Sequence, residues 1–135
     1  MANVIYPKYK EALITGSSNI SLSSGNVKAV LVDLADYTYS SAHDFLADVP
    51  AGARVSTSGN LASKTVTNGT FDAADFAFTA VTGDESEALI LYIDTGVEGT
   101  SRLVAYFDTG VTGLPVTPNG GDVNITVNGS GFFSL

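Results

Sequence analysis

The chain has no cysteine, which excludes a disulfide framework, a thiolate nucleophile and a thiolate metal site together. It has one histidine, His43, so no histidine metal cluster can form within one chain. Cations are scarce: six Lys and Arg stand against fourteen Asp and Glu, a formal net charge of −8. Lys8, Lys10, Lys28, Arg54, Lys64 and Arg102 are scattered singly, with no basic stripe that would release counterions from phosphates. Nucleic acid is therefore disfavoured as a partner, as is an anionic membrane surface, and the acidic surplus serves solubility. Long apolar runs are missing as well. The longest, Ala88 to Ile93, is far short of the ~20 residues that span a bilayer. Met1 to Thr15 contains no uninterrupted apolar stretch of signal-peptide length. The expectation is a protein made in a cytosol and not exported by the general route, with no membrane partner.

What is present points to one folded domain. At 135 residues the chain is long enough to bury roughly two-thirds of the surface its unfolded form exposes. Hydrophobic residues make up 44% and charged residues 15%, against about 25% charged in an average soluble domain. Ser, Thr, Gly and Asn fill the gap. Disorder needs the opposite balance. A weakly charged surface is also easier to cover with a neighbour, because few ions must be desolvated.

The periodicity is that of strands. Val27 to Leu34 is β-branched and almost continuously apolar, the pattern of a strand covered on both faces. Arg54 to Thr57 and Leu61 to Thr67 read as strands, and Asn68-Gly69 is a two-residue hairpin signal because both positions tolerate positive φ. Thr70 to Val81 carries Phe71, Phe76 and Phe78 in one stretch. Ala88 to Ile93, Leu103 to Phe107, Val123 to Val127 and the terminal Phe132 to Leu135 complete the series. Two short helices are expected. Pro7 to Ile14 has Pro at its start, where its missing N–H costs little. Ser40 to Asp48 has a capping Ser, an Asp near its positive end and a stop at Pro50-Ala51-Gly52. Closely spaced short strands with turn signals between them predict an all-β single domain, a β-sandwich or jelly-roll-like barrel. Residues 1–26 read as an N-terminal arm with turns, and 27–135 as the β domain proper. The apolar ends of the chain are the candidate contact residues: Val4, Ile5, Tyr6 and Tyr9 in the arm, and Phe132, Phe133 and Leu135 at the other end.

One short repeat invites an enzyme reading. Leu91-Tyr92-Ile93-Asp94-Thr95-Gly96-Val97-Glu98-Gly99 returns as Ala105-Tyr106-Phe107-Asp108-Thr109-Gly110-Val111-Thr112-Gly113. Each copy is an apolar run stopped by Asp-Thr-Gly, the active-site triplet of aspartic proteases. That chemistry needs two carboxylates sharing a proton across a pseudo-twofold axis. In the two-lobed enzymes each triplet occupies its own lobe, whereas here the offset is fourteen residues. Retroviral-type enzymes supply one triplet per chain. Two neighbouring strands, each closed by an Asp-capped turn, is the reading the spacing supports.

Other motifs are equally bland. Asp33 with Asp36, Asp72 with Asp75, and Asp84-Glu85-Ser86-Glu87 are local oxygen clusters, but none follows the twelve-residue calcium loop. His43 beside Asp44 lacks a Gly-x-Ser-x-Gly elbow and reads as a surface or interface residue. Asn19, Asn68, Asn124 and Asn128 head glycosylation triplets that a chain rich in Asn, Ser and Thr produces by chance. No phosphate loop is present. No catalytic, cofactor-binding or metal-binding residue is nominated, and no cofactor is expected.

Nearly the whole chain resembles small virion structural proteins of tailed bacteriophages. The resemblance runs through Tyr6-Pro7-Lys8-Tyr9-Lys10-Glu11-Ala12-Leu13, Val30-Leu31-Val32-Asp33, Ala35-Asp36-Tyr37-Thr38-Tyr39-Ser40 and His43-Asp44-Phe45-Leu46-Ala47-Asp48-Val49-Pro50. It continues in Tyr106-Phe107-Asp108-Thr109-Gly110 and in Gly113 to Asp122. Within that group, size and all-β character are most similar to capsid decoration, or cement, proteins. The resemblance implies a non-enzymatic protein on the capsid surface that bridges major capsid subunits, as a homo-oligomer, after synthesis in the bacterial cytoplasm. The alternative it leaves open is a tail- or fibre-associated module that recognises a host surface, for which Tyr37 and Tyr39 would be the exposed aromatics.

Overall fold

A computed structural model of the chain describes residues 3–135. In chain order these form β1 (Val4–Ile5), α1 (Pro7–Thr15), β2 (Asn26–Val32), β3 (Arg54–Thr57), β4 (Thr65–Thr67) and β5 (Thr70–Asp72). There follow β6 (Phe76–Phe78), β7 (Ala88–Asp94), β8 (Arg102–Phe107), β9 (Val123–Ile125) and β10 (Phe133–Ser134). The strands make three antiparallel sheets, ordered β1-β8-β7-β2-β3, β10-β5-β4 and β6-β9. The all-β expectation is met. The three sheets are not the paired four-stranded layers of a jelly roll.

The five-stranded sheet is the frame. Its inner strands β2, β7 and β8 come from the most apolar runs of the sequence and are buried along almost their whole length. β7 lies between the other two, with Leu89 opposite both Leu31 and Phe107. Successive side chains of a strand point to opposite faces, so the neighbours Tyr106 and Phe107 show what covers each side. The Tyr106 ring packs on Tyr39 at 5.4 Å and Tyr37 at 6.4 Å. The Phe107 ring packs on Phe132 at 6.1 Å, which in turn stacks on Phe71 at 5.7 Å. One face is roofed by tyrosines from the β2–β3 connection, the other by phenylalanines from the small sheets and the chain end.

Local chemistry places the pieces. Pro7 opens α1, and Gly16 closes it in the left-handed conformation (φ 67°). The β4–β5 hairpin turns at Asn68-Gly69, both at positive φ, as their side chains permit. Gly131, at φ +92°, lets Phe132 dock, because a Cβ there would lie 2.7 Å from the Phe71 carbonyl oxygen.

The second expected helix is corrected. The segment Ser40 to Asp48 is not a helix; only Leu46–Asp48 forms a single 3-10 turn, followed by another at Ala51–Ala53. Its backbone bonds the start of β8 instead: Leu46 N–H to the Ser101 carbonyl at 2.8 Å, and Leu103 N–H to the Asp44 carbonyl at 3.0 Å. A two-turn helix of marginal intrinsic stability loses to this sheet edge. Thr70 to Val81 is two strands, β5 and β6, because they pair with different partners, β4 and β10 against β9. The apolar C-terminal run pairs within the chain, with Phe133 opposite Phe71.

The described part of residues 1–26 is built into the domain rather than held out as an arm. β1 pairs with β8, and Tyr6 and Tyr9 are 0% and 1% exposed within the common core. Deleting residues 1–9 removes two core aromatics, each comparable to a large-to-small core change of about 3–5 kcal/mol, from a domain whose total stability is ~5–15 kcal/mol. The truncated chain is expected to lose its cooperative thermal unfolding transition by circular dichroism. A sharp transition near that of the full chain would show the segment to be dispensable.

Candidate functional site

The two Asp-Thr-Gly turns do not converge. Antiparallel pairing of β7 with β8 sets Ile93 opposite Arg102 and Leu89 opposite Phe107, so Asp94 and Asp108 leave the sheet at opposite ends. At 3.3–3.4 Å per residue the separation is about 20 Å, and no proton can be shared across it. Asp94 acts as a turn cap: its Oδ1 accepts from Gly96 N–H at 3.1 Å, and its Oδ2 pairs with Lys28 at 3.1 Å. Burial alone would raise the Asp94 carboxyl, but the Gly96 N–H and the Lys28 ammonium outweigh it and hold it below the usual range. Asp108 accepts from Tyr106 Oη at 3.2 Å, while its N–H donates to Asn3 Oδ1 at 2.8 Å.

Most of the other carboxylates nominated as oxygen clusters serve the backbone. Asp33 takes Ala35 N–H, Asp72 takes Ala73 N–H, Asp75 takes Val127 N–H and Glu87 takes Leu34 N–H, all at 2.7–2.9 Å. The fold adds a juxtaposition that sequence spacing did not show: carboxylate oxygens of Asp33, Asp36 and Asp84 lie within 4.8 Å of one another. Asp33 is buried and the other two are exposed. Three oxygens are half or fewer of the six to eight a calcium ion takes, and exposed acidic groups often gather without a cation.

A polar chain runs through the tyrosine layer. Tyr6 Oη and Tyr37 Oη are 2.8 Å apart, and Tyr37 Oη is 2.8 Å from His43 Nδ1. His43 is thus tied to the core rather than displayed on a helix. Tyr37 is buried and Tyr39 packs between Tyr6 and Tyr106 at 5.3 and 5.4 Å, so these two rings form no exposed aromatic platform. Burial raises the phenol of Tyr6 far above its ordinary value, with Tyr37 adding to the effect. It pushes Tyr37 up to about 12 against the opposing Tyr6 hydrogen bond, and Tyr9 to about 12 against the Arg102 charge.

The remaining feature is where the chain ends meet. Val4, Ile5, Phe132 and Phe133, nominated from opposite ends of the sequence, line one cavity of ≈ 370 Å³ together with Asn3, Lys10, Ala105 and Phe107. A second cavity of ≈ 410 Å³ adjoins it and shares Asn3, Phe107, Phe132 and Phe133. Its floor is Leu89 and Ile125, and its rim is the neutral Thr109, Thr126, Asn128 and Ser130. Leu135 stands outside at 63% exposure. Tyr6 and Tyr9 are withdrawn: their burial in the core takes them out of any contact surface of the folded chain.

Compared with known proteins, the chain matches no family model and no curated protein sequence. The trough at the chain ends has the size of a binding cleft. It has apolar walls and neutral polar edges, and Lys10 is the one charged residue among the described residues that line it. Its lining offers apolar contact and neutral hydrogen-bonding groups.

The tyrosine layer generates a pH prediction. An unfolded tyrosine titrates near 10, and the folded values of Tyr9, Tyr37 and Tyr92 are raised to about 12. The native state therefore holds more protons above pH 10, and stability, complete below pH 10, falls as pH rises towards 12. Tyrosinate absorbance near 295 nm is expected to rise mainly in one cooperative step with loss of the β-sheet circular dichroism signal. Titration of these phenols at pH 10 in the folded state would contradict their burial.

Proposed function

We propose that this chain is a non-enzymatic structural protein of a tailed-bacteriophage virion, decorating the capsid and stabilising the shell by bridging major capsid subunits. The observation that carries the reading is the trough in which Val4 and Ile5 meet Phe132 and Phe133. An assembly protein needs apolar, lightly charged surface that a neighbour can cover at small desolvation cost. The resemblance of nearly the whole chain to small phage virion proteins supplies the setting. The shell gains from many copies of a modest contact, because each subunit tied at two points loses its second contact only slowly. In this reading the protein is made in the bacterial cytoplasm, acts on the outer capsid surface as a homo-oligomer, and needs no cofactor.

Immunogold labelling of intact particles with antibody to this chain tests the proposal. Regular label over the head is expected. Label confined to the tail would move the chain to host recognition, and absence from particles would remove the virion reading. A variant refines the test. Leu135→Asp changes a mostly exposed side chain and should fold normally, yet lower attachment to expanded capsids about tenfold, as loss of one interface anchor of ~1.4 kcal/mol does. Unchanged attachment would take Leu135 out of the contact.

A further inference from the structure

The edge of the five-stranded sheet carries an unused hydrogen-bonding position beside the trough. Tyr6 N–H bonds the Val104 carbonyl at 2.9 Å, which makes Tyr6 and Val104 a hydrogen-bonded pair. In an antiparallel ladder such pairs alternate with non-bonded ones. Val4 opposite Tyr106 is then of the bonded kind, and Ile5 opposite Ala105 is not. The Ile5 N–H and C=O therefore point away from β8. β1 is the outermost strand of its sheet, and among the described residues no strand pairs with its outer side. The two cavities lie beside this edge, and both are lined by Phe132 and Phe133.

We propose that β1 accepts an extended segment of a partner protein by strand addition. The Ile5 N–H and C=O pair with its backbone, and two of its side chains enter the adjoining cavities. Alternate residues of a strand stand on one face ~7 Å apart, the arrangement that lets neighbouring pockets read positions i and i+2. Charge selects the partner. Among the described residues, those lining the cavities include no carboxylate and one cation, Lys10, whereas the whole chain carries −8. Lys10 therefore favours a segment of neutral β-forming residues with a carboxylate within its reach, and opposes a basic one. A second copy joined edge to edge through β1 would offer Asn3-Val4-Ile5-Tyr6, which has no carboxylate to meet Lys10. The inference rests on the assembly reading for its biological setting, but strand addition is measured without capsids.

The test selects random decapeptides displayed as a library on the immobilised full chain, then measures the enriched peptides in solution. Enriched sequences are expected to alternate apolar β-formers and to carry an acidic residue that meets Lys10, and their binding should slow hydrogen exchange at the Ile5 amide. Ile5→Pro removes an N–H that β8 does not use, a position where an edge strand tolerates proline. It should weaken binding by about tenfold or more, whereas Ile5→Ala, which keeps the N–H, should retain most of it. If the proline variant fails to fold, protection of the Ile5 amide in the unaltered chain decides. No enriched sequence, peptides that leave Ile5 exchange unchanged, equal binding by Ile5→Pro, or a dimer of this chain joined through β1 would each overturn the inference. Peptides that protect Ile5 while capsids show no label would leave strand addition standing and remove only its setting.

Discussion

The structure depends on one constraint: β2, β7 and β8 are apolar on both faces, so the sheet they form must be covered twice. A half-buried antiparallel sheet would show alternation, and Ala88 to Ile93 shows none. Each fully buried side chain contributes about 1.5–3 kcal/mol only if its face is closed to water. The two covers differ in chemistry. Tyrosines roof one face, where their hydroxyls find partners in the Tyr6–Tyr37–His43 chain and at Asp108. Phenylalanines, which have no polar group to satisfy, seal the other through Phe71, Phe76, Phe107 and Phe132. A buried hydroxyl without a partner is costly, so the two aromatic types are not interchangeable between layers.

The acidic surplus follows from the connections that this covering requires. Long links between short strands leave backbone N–H groups without ladder partners, and carboxylates accept several of them. Asp48 takes the N–H groups of Asp44 and Phe45 at 2.8 and 3.1 Å, and Asp122 takes that of Ala80 at 3.0 Å. Hydrogen bonds to a charged acceptor contribute about 1.5–3 kcal/mol each. Four of the cations pair with acids, Lys8 with Glu11, Lys28 with Asp94, Arg54 with Glu98 and Arg102 with Asp44. Much of the charge is thus accounted for by the frame itself.

What sequence revealed, and what it hid, divides along the range of the interactions. The hairpin at Asn68-Gly69, the helix that starts at Pro7 and the buried strands are local patterns, and each stands where periodicity and turn chemistry put it. Ser40 to Asp48 misled because its capping signals are real but short-range, while its backbone partners, Ser101 and Leu103, lie more than fifty residues away. Asp33, Asp36 and Asp84 meet only through the fold. At the chain ends, apolarity nominated Val4, Ile5, Phe132 and Phe133 as contact residues, and the fold gathers these four around one trough. It could not separate them from Tyr6 and Tyr9, equally apolar but buried in the core.

The most direct measurement of the two-faced sheet is the pattern of nuclear Overhauser contacts among the aromatic rings. A sheet covered by separate layers predicts contacts of Tyr106 with Tyr37 and Tyr39, contacts of Phe107 with Phe132, and none between Tyr39 and Phe132. A contact between those two rings, or a Phe107 ring without Phe132 beside it, would contradict it.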